Sequence, residues 1–262
     1  MVAAGTLDRP ARGVYALPRA DPATVAAVLA GGVVTCVTAA HRWALPLLTV
    51  PTQIHLAVPR TASTSIRAQL PAGTVVHWDA SLDREDLAAA RVATALWHVV
   101  RCLPLPEAVA VLDAALARRL ISVGDLRRLR PSRNAVVYER ALRHVDATAG
   151  SLAESIARVA LVGAGFDVRT QVHLAGVGHV DLLVDGLVVV EVDGFAYHSG
   201  RAEFRQDRRR DRAIALDHGL LELRFAFEDV VHDVPGFLAT VRRAVAAATA
   251  RGVRPARVPT AR

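Results

Sequence analysis

The pattern of apolar and polar positions is most regular between residues 150 and 250. Some segments there carry apolar residues at helical spacing, and others are short β-branched runs that end at glycine, as strands joined by turns do. The predicted elements are, in chain order, helix 152–164, strands 168–174, 178–184 and 187–193, helix 203–218, strand 220–225 and helix 235–249. The pattern therefore predicts an α/β domain over residues 150–250. Residues 251–262, rich in proline and arginine, predict a disordered tail.

The first 149 residues follow a less regular pattern, which predicts an accessory region in two parts. Residues 1–80 predict an α+β region in which one helix begins at Pro22, behind an Asp21 cap. Its predicted strands are 13–18, 33–38, 54–58 and 75–78. Residues 81–149 predict a helical connecting region with helices at 83–101, 107–119 and 122–130. The predicted fold class is α/β: a C-terminal domain in the order αβββαβα, preceded by a mixed α+β and helical accessory region.

The charged residues exclude several mechanisms. All 32 basic residues are arginine, and the formal net charge is +7. Without lysine this chain cannot form a Schiff base or use a phosphate-loop lysine, whereas bidentate arginine contacts to phosphate remain available. An excess of arginine is typical of nucleic-acid binders, and a GC-rich genome would produce the same enrichment.

The apolar content, 52% of the sequence, is typical of globular proteins. No apolar run approaches the roughly 20 residues that a bilayer-spanning helix needs, and Met1–Pro10 lacks the layout of a secretory signal. We therefore expect no membrane partner and a cytoplasmic location.

The two cysteines, Cys36 and Cys102, lie in apolar segments without a recognisable metal-ligand spacing. Such cysteines are usually buried free thiols, and we expect that of both. The histidines His41, His55 and His77, with Trp43 and Trp78, are expected to serve core or surface packing rather than a metal site.

Three carboxylates interrupt the apolar runs of the second and third C-terminal strands: Asp181, Glu191 and Asp193. An ionised carboxylate among β-branched residues is costly to bury unless a cation or hydrogen-bond donors balance it. The sequence therefore predicts a Mg²⁺ or Mn²⁺ site with Asp181 and Glu191 as ligands, and Asp193 as a third ligand or an outer partner. Asp181 as a hairpin cap and Asp193 in an ordinary strand-ending turn are the structural alternatives.

Two further residues are candidates for the same site. His198 would act as general base or acid, because imidazole titrates near neutral pH. Glu154 would reach the cluster from the first helix of the domain.

An arginine-rich segment, residues 201–212, follows the third strand. On a helix, Asp207 and Asp211 lie one turn apart and would support the site, and the arginines spread around the other sides. The candidate phosphate contacts are Arg205, Arg208, Arg209 and Arg212. A solvated helix with ion pairs at i,i+4 spacing is the alternative.

The hairpin between the second and third strands decides whether a metal site is possible. A two-residue turn at Asp185-Gly186 would place Asp181 opposite Val190, so that Asp181 points away from Glu191. A three-residue loop over residues 184–186, or an equivalent bulge, would put Asp181 on one face with Glu191 and Asp193, opposite Val189. We predict the second arrangement.

Residues 151–232 resemble the DUF559 family, which is related to the very-short-patch mismatch repair endonuclease and belongs to the restriction-endonuclease-like PD-(D/E)XK class. The resemblance runs through Ser151, Glu154, Gln171, Gly178, Val180-Asp181, Glu191-Val192-Asp193-Gly194, His198, Phe204, Asp207, Arg209 or Arg210, Asp211, Gly219 and Arg224-Phe225. The resemblance implies that residues 151–232 have the restriction-endonuclease-like fold and act as a Mg²⁺-dependent DNA endonuclease. It also implies that Gln171 and Arg224 support the site. At the position where this class usually has a lysine, this chain has Asp193.

Near the N-terminus, residues 12–18 resemble the strand that ends the winged-helix domain of AbiEi-type antitoxins. A winged helix needs its recognition helix before that strand, and only eleven residues precede Arg12. The resemblance implies a degenerate or shortened antitoxin-like segment, and with it a protein partner from a toxin-antitoxin or repair system.

Two functions follow from these features. The first is metal-dependent cleavage of DNA, with Asp181, Glu191, Asp193, His198 and Glu154 in the site. The alternative is a non-catalytic DNA-binding or antitoxin-like regulator that keeps the nuclease fold. The missing lysine favours the regulator, and the retained carboxylates favour the enzyme.

Overall fold

A computed structural model describes residues 6–62, 70–79, 82, 84–86, 88–129, 134–193 and 201–256, without the side chains of 84–86, 201–205 and 207. The described residues form two compact units. The first lies within Met1–Pro104 and Arg118–Arg143, and the second within Leu105–Ala117 and His144–Arg262. Residues 81–149, expected to form one connecting region, are thus shared between the two units. In the described part of the chain, no helix combines the length and the apolar character that crossing a membrane requires.

Both units contain helices and strands, which agrees with the predicted α/β class. Those of the first hundred residues are β1 (Asp8–Ala11), β2 (Val14–Ala16), α1 (Pro22–Leu29), β3 (Val33–Val34), α2 (Cys36–Arg42), β4 (His55–Pro59), β5 (Val75–Asp79), β6 (Arg84–Asp86), β7 (Ala89–Ala90) and α3 (Val92–Cys102). Those that follow are α4 (Leu105–Ala117), α5 (Val123–Arg128), α6 (Ala135–Leu142), α7 (Leu152–Gly163), β8 (Val168–Leu174), β9 (Gly178–Val184), β10 (Val188–Asp193), α8 (Arg201–Leu216), β11 (Leu221–Ala226), α9 (Phe227–His232) and α10 (Val234–Ala250).

The first unit is built on a five-stranded mixed sheet in the order β5-β4-β3-β7-β6. Helix α1 begins as predicted, since the Asp21 side chain accepts a hydrogen bond from the backbone N–H of Thr24 at 2.9 Å. The predicted strand 33–38 is wrong beyond Val34, because Thr35 turns the chain into α2. The predicted helix 83–101 is wrong before residue 92, where β6 and β7 pair at the sheet edge instead. The apolar residues there fit the edge of a sheet as well as a helix face.

The second unit contains the predicted order αβββαβα with one added short helix, α9. Its four-stranded sheet has the order β11-β10-β9-β8. Strands β8, β9 and β10 form an antiparallel meander, and β11 returns parallel to β10 after α8. The middle of the sheet is fully buried, with no exposed surface at Val188, Val189 and Val190. The described part of the tail, to Ala256, is ordered against the sheet, because the Ala256 N–H donates to the Gly186 carbonyl at 2.8 Å.

Helix α4 belongs to the second unit because a buried ion pair fastens it to α7. The Asp113 carboxylate, with 1% of its surface exposed, accepts hydrogen bonds from Arg158 at 2.7 Å and from the Ser155 hydroxyl at 2.8 Å. The backbone N–H of Asp146 donates to its other oxygen at 2.6 Å. Removing either side chain of the Asp113–Arg158 ion pair would leave a buried charge without its partner.

The hairpin between β9 and β10 combines a tight turn with one extra residue. Asp185 and Gly186 both have positive φ, and Leu187 N–H donates to Val184 C=O at 2.9 Å, as in the turn of a two-residue hairpin. Leu187, however, stays outside the pairing, and Val188 lies opposite Val184. The predicted pairing of Asp181 with Val189 is therefore wrong by two positions, because Leu183 lies opposite Val189. A two-residue difference preserves the sheet face, so the predicted shared face of Asp181 and Glu191 is confirmed.

Candidate functional site: a carboxylate cluster in the second unit

Asp181 and Glu191 lie side by side where the β9–β10 pairing stops being regular. The regular pairing ends at Leu182 and Val190. Beyond it, the Asp181 carboxylate accepts a hydrogen bond from the backbone N–H of Val192 at 3.0 Å, in place of a strand carbonyl. Besides burial, the negative charge of Asp181 raises the pKa of Glu191, because the two carboxyl groups are close to each other. Folding thus brings together the two acids that the sequence predicts as metal ligands.

Glu154 approaches this pair from α7, as predicted. Ser151 caps the helix by accepting a hydrogen bond from Glu154 N–H at 3.1 Å, which directs the Glu154 side chain back toward the sheet. Its Oε2 accepts from Gly150 N–H and from Gln171 Nε2, each at 2.9 Å. Gln171 Nε2 is also 3.4 Å from Asp181 Oδ1. The Gln171 amide therefore connects two of the acids, which is the supporting position implied for it.

The acids raise the pKa of their neighbours. Burial raises the pKa of Glu191 to about 8, the negative charge of Asp181 adds to this rise, and Arg210 opposes it. Burial, with the charge of Asp181 as the second cause, also raises the pKa of Glu154. Without a further cation, both shifts favour the protonated, uncharged form of these two carboxyl groups.

Arg210 is the arginine of α8 that contacts the acids, and the resemblance to DUF559 includes it only as an alternative to Arg209. Its Nη2 donates hydrogen bonds to Glu191 Oε1 and to the carbonyl of His179. The expected phosphate contacts Arg208, Arg209 and Arg212 are exposed. One signal could have identified Arg210: it lies four residues before Ile214, which is fully buried, and so shares its helix face.

Asp211 and Arg224 connect α8 to β11. Arg224 Nη2 donates to Asp211 Oδ1 at 2.6 Å, and its Nε donates to Glu222 at 3.1 Å. Arg208 lies 3.6 Å from the other oxygen of Asp211. In the parallel register Arg224 pairs with Glu191, so this ion pair fixes α8 and β11 beside the cluster.

The remaining predicted site residues have different outcomes. Asp193 is half-buried, two residues beyond Glu191 on the same strand face, and the structure gives it no direct contact with the other acids. His198 lies outside the described residues, as do the side chains of Arg205 and Asp207.

A second group of potential metal ligands lies in the first unit. In the described part of the chain, one set of three or more His, Cys, Asp or Glu side chains brings all its ligand atoms within 4.8 Å of one another: Cys36, His55, His77 and Cys102. This buried cluster could bind a metal ion. The expected role of these residues, buried free thiols and packing histidines, is therefore incomplete, and Cys102 is exposed rather than buried. No local spacing indicates the group, because its members are far apart in the chain.

Comparison of the chain with protein-family models, with curated proteins and with solved structures finds no match. The resemblance to DUF559 and the restriction-endonuclease-like arrangement stay predictions.

Proposed function

We propose that the second unit is a metal-dependent endonuclease that hydrolyses phosphodiester bonds in DNA. The observation that carries the proposal is the adjacency of Asp181 and Glu191 on one sheet face, at the point where two strands separate. Mg²⁺ in proteins is held by one or two carboxylates, with water and phosphate oxygens completing its six positions. The two acids provide such a partial ligand set and leave the other positions to the substrate.

The residues around the pair have separate tasks in this proposal. Asp181 and Glu191 hold Mg²⁺ or Mn²⁺, and the ion supplies polarisation of the phosphoryl group and a lower pKa for the attacking water. The hydrogen bond from Val192 N–H fixes the Asp181 carboxylate, and Gln171 holds Glu154 next to it. Asp193 serves as an outer partner. His198, as the resemblance implies, moves the proton.

The proposed DNA contacts follow from the position of α8. This helix directs Arg210 to Glu191 and leaves Arg208, Arg209 and Arg212 exposed one turn or less away. Arginines beside a carboxylate site can neutralise the phosphates that flank the scissile bond, and such contacts position DNA without reading its sequence. The restriction-endonuclease-like fold is part of the proposal, supported by the element order and by the parallel pairing of β10 with β11.

A second candidate function is a DNA-binding or antitoxin-like regulator without catalysis. The ion pair between Arg210 and Glu191 favours it, since this pair balances one carboxylate without any metal. The absence of lysine in the chain points the same way. Both candidates require DNA binding, and cleavage distinguishes them.

The test is nicking of supercoiled, mismatched and branched DNA by the full chain with Mg²⁺ or Mn²⁺. Asp181→Asn and Glu191→Gln each remove a charged oxygen at nearly constant volume. We expect each to lower the rate at least about 100-fold, because the loss of an outer-shell partner alone costs about 10–100-fold. Asp217→Asn, an equal charge change at an exposed position, is the control and should keep full activity.

Two outcomes would count against catalysis at this site. Binding without cleavage across the whole substrate panel would support the regulator. Variants that cleave as fast as the wild-type chain would exclude Asp181 and Glu191 as the catalytic metal ligands.

A further inference from the structure

Four side chains that the nuclease proposal does not use converge in the first unit, each from a different element. Cys36 is the first residue of α2, His55 the first of β4, and Cys102 the last of α3. His77 is the central residue of β5. Cys36, His55 and His77 are buried among the apolar residues of this unit.

The distances between these side chains suit a tetrahedral ion. Zn²⁺ binds imidazole nitrogen at about 2.0–2.1 Å and thiolate sulfur at about 2.3 Å, so a tetrahedral site separates two nitrogens by about 3.4 Å and nitrogen from sulfur by about 3.6 Å. His55 Nδ1 and His77 Nε2 are 3.3 Å apart. Cys102 Sγ and His77 Nε2 are 3.7 Å apart. Every ligand pair, Cys36 included, is within 4.8 Å.

Neighbouring groups hold the ligands in these orientations. The His77 ring stacks on His98 with centroids 4.4 Å apart. His98 Nδ1 shares a 2.8 Å hydrogen bond with the Thr35 hydroxyl, and its other nitrogen is 3.5 Å from Asp79. The His98 ring, held by these contacts, limits the orientation of the His77 ring on which it stacks.

The backbone contributes a further constraint at the first ligand. Thr35 N–H donates to the His55 carbonyl at 3.0 Å, and His55 N–H donates to the Thr38 hydroxyl at 2.9 Å. These bonds fasten the start of α2 to the start of β4, and so hold Cys36 beside His55. Cys36 itself has φ of 55°, a left-handed conformation that residues other than glycine rarely adopt and that occurs at ligand-binding positions.

We propose that the first unit binds one Zn²⁺ through Cys36 Sγ, His55 Nδ1, His77 Nε2 and Cys102 Sγ, as a structural site. Two sulfurs and two imidazoles select zinc over the hard ions that carboxylates hold. Four protein ligands fill a tetrahedron, so no position remains for a substrate. The ion would join α2, β4, β5 and α3 in a unit whose central strands β3 and β7 are only two residues long.

The experiment measures zinc in the full chain, purified with reductant and without chelator. We expect about one zinc ion per chain, and replacement by Co²⁺ should give the visible absorption of a tetrahedral site with sulfur ligands. Cys102→Ser and His77→Asn should each lower the bound zinc at least about tenfold. His41→Asn changes an exposed histidine of α2 outside the cluster and should leave the zinc content unchanged.

If those variants fail to fold, alkylation of the wild-type chain tests the zinc site without any substitution. Zinc-bound thiolates resist alkylation, so the exposed Cys102 should react with iodoacetamide only after a chelator is added. A metal-free protein that gains no Co²⁺ absorption would overturn the proposal. So would a disulfide between the two cysteines, or a Cys102 thiol that alkylates equally fast with and without chelator. None of these results depends on DNA cleavage.

Discussion

The two units bring potential metal ligands together in opposite ways. In the second unit the ligands are carboxylates on adjacent strands, and they occupy only part of an ion's surroundings. In the first unit they are sulfur and imidazole groups from four elements, as many ligands as a tetrahedral ion needs. Open oxygen sites suit chemistry on phosphate, whereas closed sulfur and nitrogen sites suit stability. We therefore propose catalysis for the second unit and a structural metal site for the first.

The largest expected effect concerns the stability of the first unit. The tryptophans Trp43, Trp78 and Trp97 all lie there, so tryptophan fluorescence follows its unfolding alone. Structural zinc contributes on the order of 10 kcal/mol to the folding of small domains. We expect Cys102→Ser to abolish the cooperative fluorescence transition in urea and His41→Asn to preserve it. A fluorescence transition unchanged by Cys102→Ser would show that the first unit does not depend on metal for stability.

The second unit should depend on a buried ion pair instead. Asp113→Ala leaves the buried Arg158 guanidinium without its carboxylate, which costs about 3–5 kcal/mol. Urea unfolding followed by far-ultraviolet circular dichroism should show this loss, and the tryptophan transition should not move. Asp167→Ala breaks an exposed pair with Arg169 in the same unit, and its cost should stay below about 1 kcal/mol. Equal costs for the two variants would contradict the assignment.

Arg210 sharpens the comparison, because it occupies the side of Glu191 that a cation would use. Arg210→Met should increase the affinity for Mn²⁺ about tenfold or more, since a hydrogen bond to a charged group contributes about 1.5–3 kcal/mol. Isothermal titration calorimetry measures this effect, with the exposed Arg209→Met as the matched control. An unchanged or weaker affinity would mean that Arg210 and the ion do not compete.

The smallest expected effect is on DNA affinity. If Arg209 contacts one phosphate, Arg209→Ala should flatten the dependence of log affinity on log salt by about one unit. The exposed Arg243 of α10 provides the control, and its replacement by alanine should leave the slope unchanged. Fluorescence anisotropy at several salt concentrations gives both slopes. If the DNA affinity of the wild-type chain does not vary with salt, the arginines of α8 do not contact phosphates.

How much the sequence could predict differs between the units for a physical reason. Asp181 and Glu191 stand out because a charge within an apolar strand demands an explanation. Cys36 and Cys102 do not stand out, because cysteine is an ordinary core residue. Their partner histidines are also far away in the sequence, so no short motif joins the four residues.

The fold shows the same division. Strands β8, β9 and β10 each have a strong apolar run with a glycine turn, and their predicted positions agree with the structure to within a residue. The predicted strand 33–38 includes the first three residues of α2, because this segment is rich in β-branched side chains. The contacts of Thr35 with His98 and with the His55 carbonyl override that local preference.

The extra residue in the β9–β10 hairpin means that the carboxylate pair is assembled by the whole sheet. The Asp185-Gly186 turn alone would let β10 slide by one residue, bringing Leu187 opposite Val184 and separating Asp181 from Glu191. The Leu187 carbonyl instead accepts a hydrogen bond from Leu221, at the start of β11. The register that places Asp181 and Glu191 on one face is therefore supported by β11, a strand that contains neither acid.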